Sequence, residues 1–312
     1  MAKLRLFCRV ATTFARSGAL DEDAFRRYLQ RFVDAGVGVY LASAGSGEGN
    51  ALTEDELRRV YRIGVEVCKG KVGANANPPE TQTVRATREH LALAIESGVE
   101  MVNIYGPTGW HGFRPTDAEF VAFFDDLLGE IRHPVALAPN PTMGYTPKAT
   151  LIADICNRYS QVAAVNLVGL NDDYFMSLKA MVEREVEYYV PLTGSLNTLA
   201  LGAAGVIGGE FNILPKTFRR YVDCYEAGDL RGAGEAYAEI KRFTRYVAPW
   251  NSASPRWIKM AMKVLGLPGA EGGLRGPYRM PEQAELLRFR DGLLRLGIPE
   301  IDALAAAAAD SV

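Results

Sequence analysis

Apolar and polar positions along the chain follow two periods, and the places where one gives way to the other mark its elements. Phe25, Tyr28, Leu29, Phe32 and Val33 recur at helical spacing and stop before Gly36, a residue suited to the left-handed turn that ends helices. Phe120, Phe123, Phe124, Leu127, Leu128 and Ile131 form a second stripe of the same kind. Two helix starts are written as capping boxes, Thr53 with Glu56 and Thr116 with Glu119, each side chain satisfying a backbone N–H at the helix start. Thr146-Pro147 predicts a further start, a cap followed by proline in the first turn. Between the helices lie apolar runs of strand length at 4–12, 37–44, 71–76, 101–104, 134–138, 162–167, 188–192 and 204–208.

A strand-then-helix unit thus returns about every 25–35 residues, the pattern of a parallel sheet covered by helices. Eight strands with eight intervening helices predict a closed (β/α)8 TIM barrel. A doubly wound open sheet is the competitor. It usually carries Gly-x-Gly-x-x-Gly after the first strand, and that motif is absent there. From about Thr217 the chain reads as helical beyond what eight units need. The predicted organisation is a barrel over 1–216, then the last barrel helix and a C-terminal helical region over 217–312, with the alanine run 305–309 as a frayed helix end.

Composition narrows the function classes. The 312 residues are 48% hydrophobic and 23% charged, an ordinary globular balance. A net charge of −2 leaves no basic footprint for nucleic acid or an anionic membrane surface. Cys8, Cys68, Cys156 and Cys224 lie far apart with no Cys-x-x-Cys pair, so neither zinc nor a disulfide framework is expected. Arg9 interrupts the apolar start too early for a signal peptide. The charge-free stretch 188–209 is broken by Pro191, Asn197 and five glycines, which suits strand, turn, helix and strand better than a membrane span. A cytoplasmic protein is expected. No His/Asp/Glu cluster has ligand spacing, so no metal and no cofactor is implied.

Barrel chemistry sits where strands end and the following loops begin. Those positions read Ala44-Gly45-Ser46-Gly47-Glu48, Asn75-Ala76-Asn77, 105–114, Ala138-Pro139-Asn140-Pro141, Asn166, Gly194-Ser195 and Gly209-Glu210. Amides, small residues and backbone dominate, with Glu210 and His111 as the few titratable groups. Gly45, Ser46 and Gly47 let backbone N–H groups converge with a hydroxyl, which makes a cradle for a carboxylate or other anionic oxygen. The same five residues also read as a plain tight turn.

With these motifs in order, the chain resembles the dihydrodipicolinate synthase / N-acetylneuraminate lyase family of class I, pyruvate-handling aldolases. Ala44–Glu48 with Gly49-Asn50-Ala51-Leu52-Thr53 is similar to its Gly-Thr-Thr-Gly-Glu-x-x-x-Leu-Thr loop. Thr193-Gly194-Ser195, Leu201-Gly202-Ala203-Ala204-Gly205-Val206-Ile207 and Asn212-Ile213-Leu214-Pro215-Lys216 follow its strand 7 to strand 8 pattern, and Glu226-Ala227-Gly228-Asp229-Leu230 its next helix turn. The resemblance runs from about 6 to 294. It implies a (β/α)8 barrel with a C-terminal helical subdomain, a small carbonyl or carboxylate substrate, and a homo-oligomer, dimer or tetramer.

The departures bear on mechanism. The family's imine-forming lysine at the end of the sixth strand falls on Asn166. Its fifth-strand tyrosine falls on Ala138, in an alignment anchored by Pro134-Val135 and Asn140-Pro141 that resembles the aromatic hydratase-aldolase branch. The first threonine of its loop becomes Gly45, and its fourth-strand tyrosine region reads Pro107-Thr108-Gly109-Trp110. An amide nitrogen has a delocalised lone pair and cannot form an imine, which needs a deprotonatable amine. Of the other lysines, Lys3 and Lys71 begin strands at the opposite mouth. Lys69, Lys148, Lys179, Lys241, Lys259 and Lys263 lie on or beside helices, and Lys216 matches a non-catalytic family lysine.

The leading expectation is therefore a lyase that works without a Schiff base, by aldol cleavage, hydration or dehydration, or decarboxylation. Gly45 and Ser46 would hold the anion, with Ser195 beside them as a further binding residue. Asn140 and Asn166 would stabilise developing charge, and Glu210 or His111 would move the proton. Trp110 and Phe113 would wall the substrate. The bland readings are a solvated His111, an ion-paired Glu210, Asn166 as a neutral relic in a dead site, and Trp110 and Phe113 packed at a subunit interface. Two rival functions stand beside the first: a catalytically silent small-acid-binding protein, and a class I aldolase with a displaced lysine.

Overall fold

The computed structural model describes residues 3–109, 111–167, 169–253 and 255–309, without the side chains of 251–253. Its strands are β1 (Arg5–Arg9), β2 (Gly38–Leu41), β3 (Ala74–Ala76), β4 (Val102–Ile104), β5 (Val135–Leu137), β6 (Val162–Asn166), β7 (Glu187–Val190) and β8 (Gly205–Gly208). They follow one another in chain order around a closed barrel. The registers of β1 with β2, and of each neighbouring pair from β3 to β8, are parallel. All eight predicted strands are present, each within its apolar run or one residue outside it.

The helices are α1 (Glu22–Asp34), α2 (Glu54–Cys68), α3 (Val84–Glu96), α4 (Asp117–Leu128), α5 (Ala149–Arg158), α6 (Asp172–Met181), α7 (Ser195–Ala200) and α8 (Pro215–Glu226). Beyond them come α9 (Leu230–Val247), α10 (Arg256–Val264), α11 (Gln283–Leu294) and α12 (Pro299–Ala309). Both capping boxes form as read from the sequence, Thr53 with Glu56 on α2 and Thr116 with Glu119 on α4. Asp21 caps α1, and Gly36 follows its end at φ +66°. One predicted start is corrected. Thr146 does not cap α5, which begins after Lys148. The Pro147 carbonyl is taken instead by the Tyr174 hydroxyl at 2.9 Å, and the Leu151 N–H turns to the Lys148 carbonyl at 3.1 Å. The charge-free stretch 188–209 is strand, short helix and strand. Among the described residues, no helix is long and apolar enough to cross a membrane.

Packing divides the chain into two units, residues up to 74 with 209 onward, and residues 75–208. The sequence-derived boundary at 216 lies inside the first of these. The first unit is built on Phe7, Phe25, Tyr28, Phe32, Tyr40 and Tyr61 together with Phe211 and Phe218, which stack at 3.7 Å. The second is built on strands β4 to β7 and the buried faces of α4 and α6, with Phe120, Phe124 and Phe175 at 1% exposure or less. All four cysteines are free thiols, and Cys8, Cys68 and Cys156 are buried.

Candidate functional site

In the first unit, the loop after β2 is held by its own polar groups. Ser43 Oγ accepts from the Gly47 N–H at 3.1 Å, and Thr12 Oγ1 donates to the Gly47 carbonyl at 2.6 Å. A Cβ on Gly47 would lie 2.7 Å from the Ser43 nitrogen, so only glycine lets the turn close this tightly. Gly45 is exposed at the tip and Ser46 is buried. The Ser46 hydroxyl lies 3.2 Å from where a Cβ on Gly209 would stand, so the bare backbone after β8 admits it.

Glu48 belongs to the same loop but works as its anchor. It is buried, with Oε1 3.2 Å from the Lys259 ammonium and Oε2 accepting from the Arg275 N–H at 2.9 Å. Lys259, at 0% exposure, also bonds the Thr12 carbonyl and lies 4.6 Å over the Phe14 ring. Burial pushes its ammonium below the ordinary lysine range, while Glu48 holds it up. Reading Lys259 as a residue of a helix was correct. Its burial was not visible in the sequence.

Arg275 completes this network with a bidentate grip on Glu56, at 2.5 and 2.7 Å. That grip pulls the Glu56 carboxyl down from 4.5 to about 2, against a smaller upward push from burial. The pair is mostly enclosed, so the shift is a stability statement. A carboxyl lowered on folding adds stability above its unfolded value and loses it as pH falls through the folded value. On the order of 3 kcal/mol should therefore disappear between pH 4.5 and about 2. Urea midpoints across that range should fall in the native protein and flatten in Glu56→Gln. A parallel fall in the variant would assign the acid limb elsewhere.

Glu210 opens the 3-10 turn Glu210–Asn212 just after β8. The residue keeps some accessible surface, yet its carboxyl is densely surrounded. Burial raises it above the usual carboxylate range, opposed by the N–H groups of Glu210 and Gly209 and by Arg9 and Lys241. Asn212 ties this turn to β1. Its Nδ2 donates to the Arg9 carbonyl at 2.8 Å and the Gly209 carbonyl at 2.7 Å, and its Oδ1 accepts from the Ala11 N–H at 2.9 Å.

In the second unit, Asn166 ends β6 at 1% exposure and donates through Nδ2 to Asn103 Oδ1 at 2.8 Å. Asn166 Oδ1 and Asn103 Nδ2 are buried without a hydrogen-bond partner among the described residues. Asn103 was missed in the sequence. Its signal is an amide between Val102 and Ile104 in the middle of a three-residue strand. Nearby on the chain, Asn77 Nδ2 donates to the Tyr105 hydroxyl at 3.1 Å, and Tyr105 packs with Ala138, Met143 and Tyr145.

Asn140 is buried and spends its Oδ1 on the Thr142 N–H at 3.1 Å, capping the turn Pro141–Met143. Among the described residues its amide nitrogen makes no hydrogen bond, which leaves that end to meet a ligand. Ser195 is fully buried at the first turn of α7. His111 is exposed in left-handed backbone at φ 49°, and Phe113 is 77% exposed, which does not make a wall. Trp110 lies outside the described residues. The two lysines of this unit are engaged at the surface, Lys148 with Asp117 at 2.5 Å and Lys179 with the Leu201 carbonyl at 2.7 Å. Among the described residues, no group of three His, Cys, Asp or Glu side chains is placed to hold a metal ion.

Comparison with known proteins agrees with this architecture. The model of the dihydrodipicolinate synthetase family matches residues 2–293. A DapA-like lyase of Rhizobium meliloti is 25% identical over 299 residues, covering 93% of this chain and 95% of its own. A 4-hydroxy-tetrahydrodipicolinate synthase of Maridesulfovibrio salexigens is 26% identical over 269 residues, covering 83% and 87%. Among solved structures, a dihydrodipicolinate synthase superposes with a TM-score of 0.83 at 22% identity, covering 94% of this chain and 99% of that one. A prophage protein of the same family from E. coli K12, solved in complex with pyruvate, gives 0.83 at 18% identity, covering 95% and 99%. With its family match running almost from end to end over a closed eight-stranded barrel, the chain belongs to the dihydrodipicolinate synthetase family and is a lyase of that kind.

Proposed function

We propose that this lyase acts on a small carbonyl or carboxylate compound without forming a lysine imine. The observation that carries the reading is Asn166. The position where the family resemblance places the nucleophilic amine holds a buried amide, already bonded to a second amide, Asn103. Neither group can form a carbinolamine. An amide N–H aimed at a developing enolate or oxyanion can instead lower the barrier by roughly 3–4 kcal/mol.

The other roles follow from chemistry and burial. Asn166 and the free nitrogen of Asn140 donate to developing negative charge. Gly45 and Ser46 supply an anion-binding turn, and Ser195 a buried hydroxyl. Glu210, raised above the usual carboxylate range by burial, moves the proton. His111 is the second candidate for that task and, being exposed, is in reach of bulk water. Aldol cleavage, hydration or dehydration, and decarboxylation share an enolate-like step that this set can serve. Against the rival of a displaced lysine, Lys259 is ion-paired with Glu48, and Lys148 and Lys179 are bonded at the surface. Lys241, near enough to act electrostatically on Glu210, is the lysine on which that rival would rest. By its family resemblance the protein works in the cytoplasm as a homo-oligomer, a dimer or tetramer.

Borohydride reduction in the presence of pyruvate, read by intact mass, tests the proposal. The expected result is unmodified protein. A stable pyruvate adduct on any lysine would restore imine chemistry and remove the role given to Asn166.

A further inference from the structure

Arg9 ends β1, and its backbone is fixed from two sides. The Val10 N–H bonds the Tyr40 carbonyl at 3.2 Å, and Asn212 bonds the Arg9 carbonyl at 2.8 Å. Its guanidinium is fixed by nothing comparable. Nε and Nη2 are both buried and have no hydrogen-bond partner among the described residues. These are the two donors on one edge of the guanidinium, whose N–H bonds run parallel. That edge is the fork that matches the two oxygens of a carboxylate. An arginine keeps its charge at any working pH, and a buried charge without hydrogen bonds is costly. Arg59, Arg219 and Arg256 of the same unit each have a buried Nε without a hydrogen bond, but among the described residues Arg9 alone has two such nitrogens, and they are the adjacent pair.

The surroundings fit a binding role. Asn212 holds Arg9 and the Gly209–Glu210 turn through one side chain, so the fork is carried on the same scaffold as the proposed proton-transfer group. Glu210 is close enough to feel Arg9 electrostatically, yet no ion pair joins them among the described residues. No side chain among the described residues therefore occupies the fork, and the glutamate is not spent on neutralising it.

We propose that Arg9 is the substrate-carboxylate receptor of this enzyme, binding one carboxylate side-on through Nε and Nη2. The assignment rests on reading the substrate as a small carboxylate compound, and it stands whether or not an imine forms. It gives the Gly45–Ser46 turn a different task, holding the carbonyl oxygen where charge develops. A plain carboxamide in place of the carboxylate offers the fork one acceptor instead of two and no charge.

The experiment compares pyruvate with pyruvamide by calorimetry on the full chain, in the native protein and in Arg9→Met, Arg9→Gln and Arg9→Lys. The native protein should prefer the acid at least tenfold. Arg9→Met and Arg9→Gln should lose that preference while keeping affinity for the amide, and Arg9→Lys should keep only part of it. Thermal melting of Arg9→Met should be level with the native protein or higher, since an unpaired buried charge has gone. Equal binding of acid and amide by the native protein, binding of neither, or a preference that survives in Arg9→Met overturns the proposal. So does a variant that melts several degrees lower with the preference intact, because Arg9 would then be structural. A borohydride-trapped pyruvate adduct would overturn the imine-free reading alone and leave the Arg9 result to be judged by itself.

Discussion

Lys259→Met should destabilise the protein by about 3–5 kcal/mol, the usual cost of stripping one partner from a buried ion pair. The substitution leaves Glu48 enclosed, with the Arg275 N–H and the more distant Arg275 guanidinium to meet its charge. It also removes the bond to the Thr12 carbonyl and the cation above Phe14. Methionine fills similar volume, so lost packing is a small part of the effect. The double variant Glu48→Gln with Lys259→Met should recover much of the loss, because a neutral amide can keep the Arg275 N–H without stranding a charge. Urea unfolding with an unchanged slope reads both numbers. A single-variant loss under 1 kcal/mol, or a double variant no better than the single, would show that the pair does not hold this region. Function should follow stability here. The loop carrying Gly45 and Ser46 is anchored at Glu48, and a loosened anchor lets the turn drift by distances that matter for binding.

That anchor also shows where the sequence is legible and where it is not. Capping boxes, Gly36 and the apolar runs are local signals, and each is realised with small shifts at its ends. The start of α5 moved because a distant hydroxyl, Tyr174, claims the Pro147 carbonyl, a contact that local spacing does not encode. Lys259 looked like an ordinary helical lysine. Its neighbours Trp257, Ile258, Met260, Ala261 and Met262 are all buried as well, so the helix has little solvent face on which to put it. A helix apolar nearly all round was the available hint.

The site follows the same division. Asn166 and Glu210 are proposed from the sequence because strand ends are where barrel chemistry sits, and family motifs locate those ends. Asn103 and Arg9 escaped because each acquires meaning only from a partner, or the lack of one, in three dimensions. Both break an apolar strand with a polar side chain. In a barrel strand that anomaly deserved as much weight as any motif, since burial there has to be justified by bonds or by a ligand.

Glu210→Gln should slow carbon-bound proton exchange by about 10²- to 10⁴-fold, the usual contribution of a positioned acid or base. The readout is loss of the methyl proton signal of pyruvamide in deuterated water, a neutral probe that does not depend on the carboxylate fork. Burial is the main reason the Glu210 carboxyl stands above its ordinary range, with Arg9 and Lys241 drawing it back. The native rate should therefore fall on the acid side at a pH above the usual carboxylate range, as the base is protonated. In Glu210→Gln that limb should vanish with the rate. In Arg9→Met a cation that favours the ionised form is gone, so the limb should move to higher pH. A merely structural Glu210 would lower the rate at every pH without altering the limb. Exchange that is unchanged in Glu210→Gln would hand the proton to His111, and His111→Ala would then have to abolish it for any acid–base reading of this site to survive.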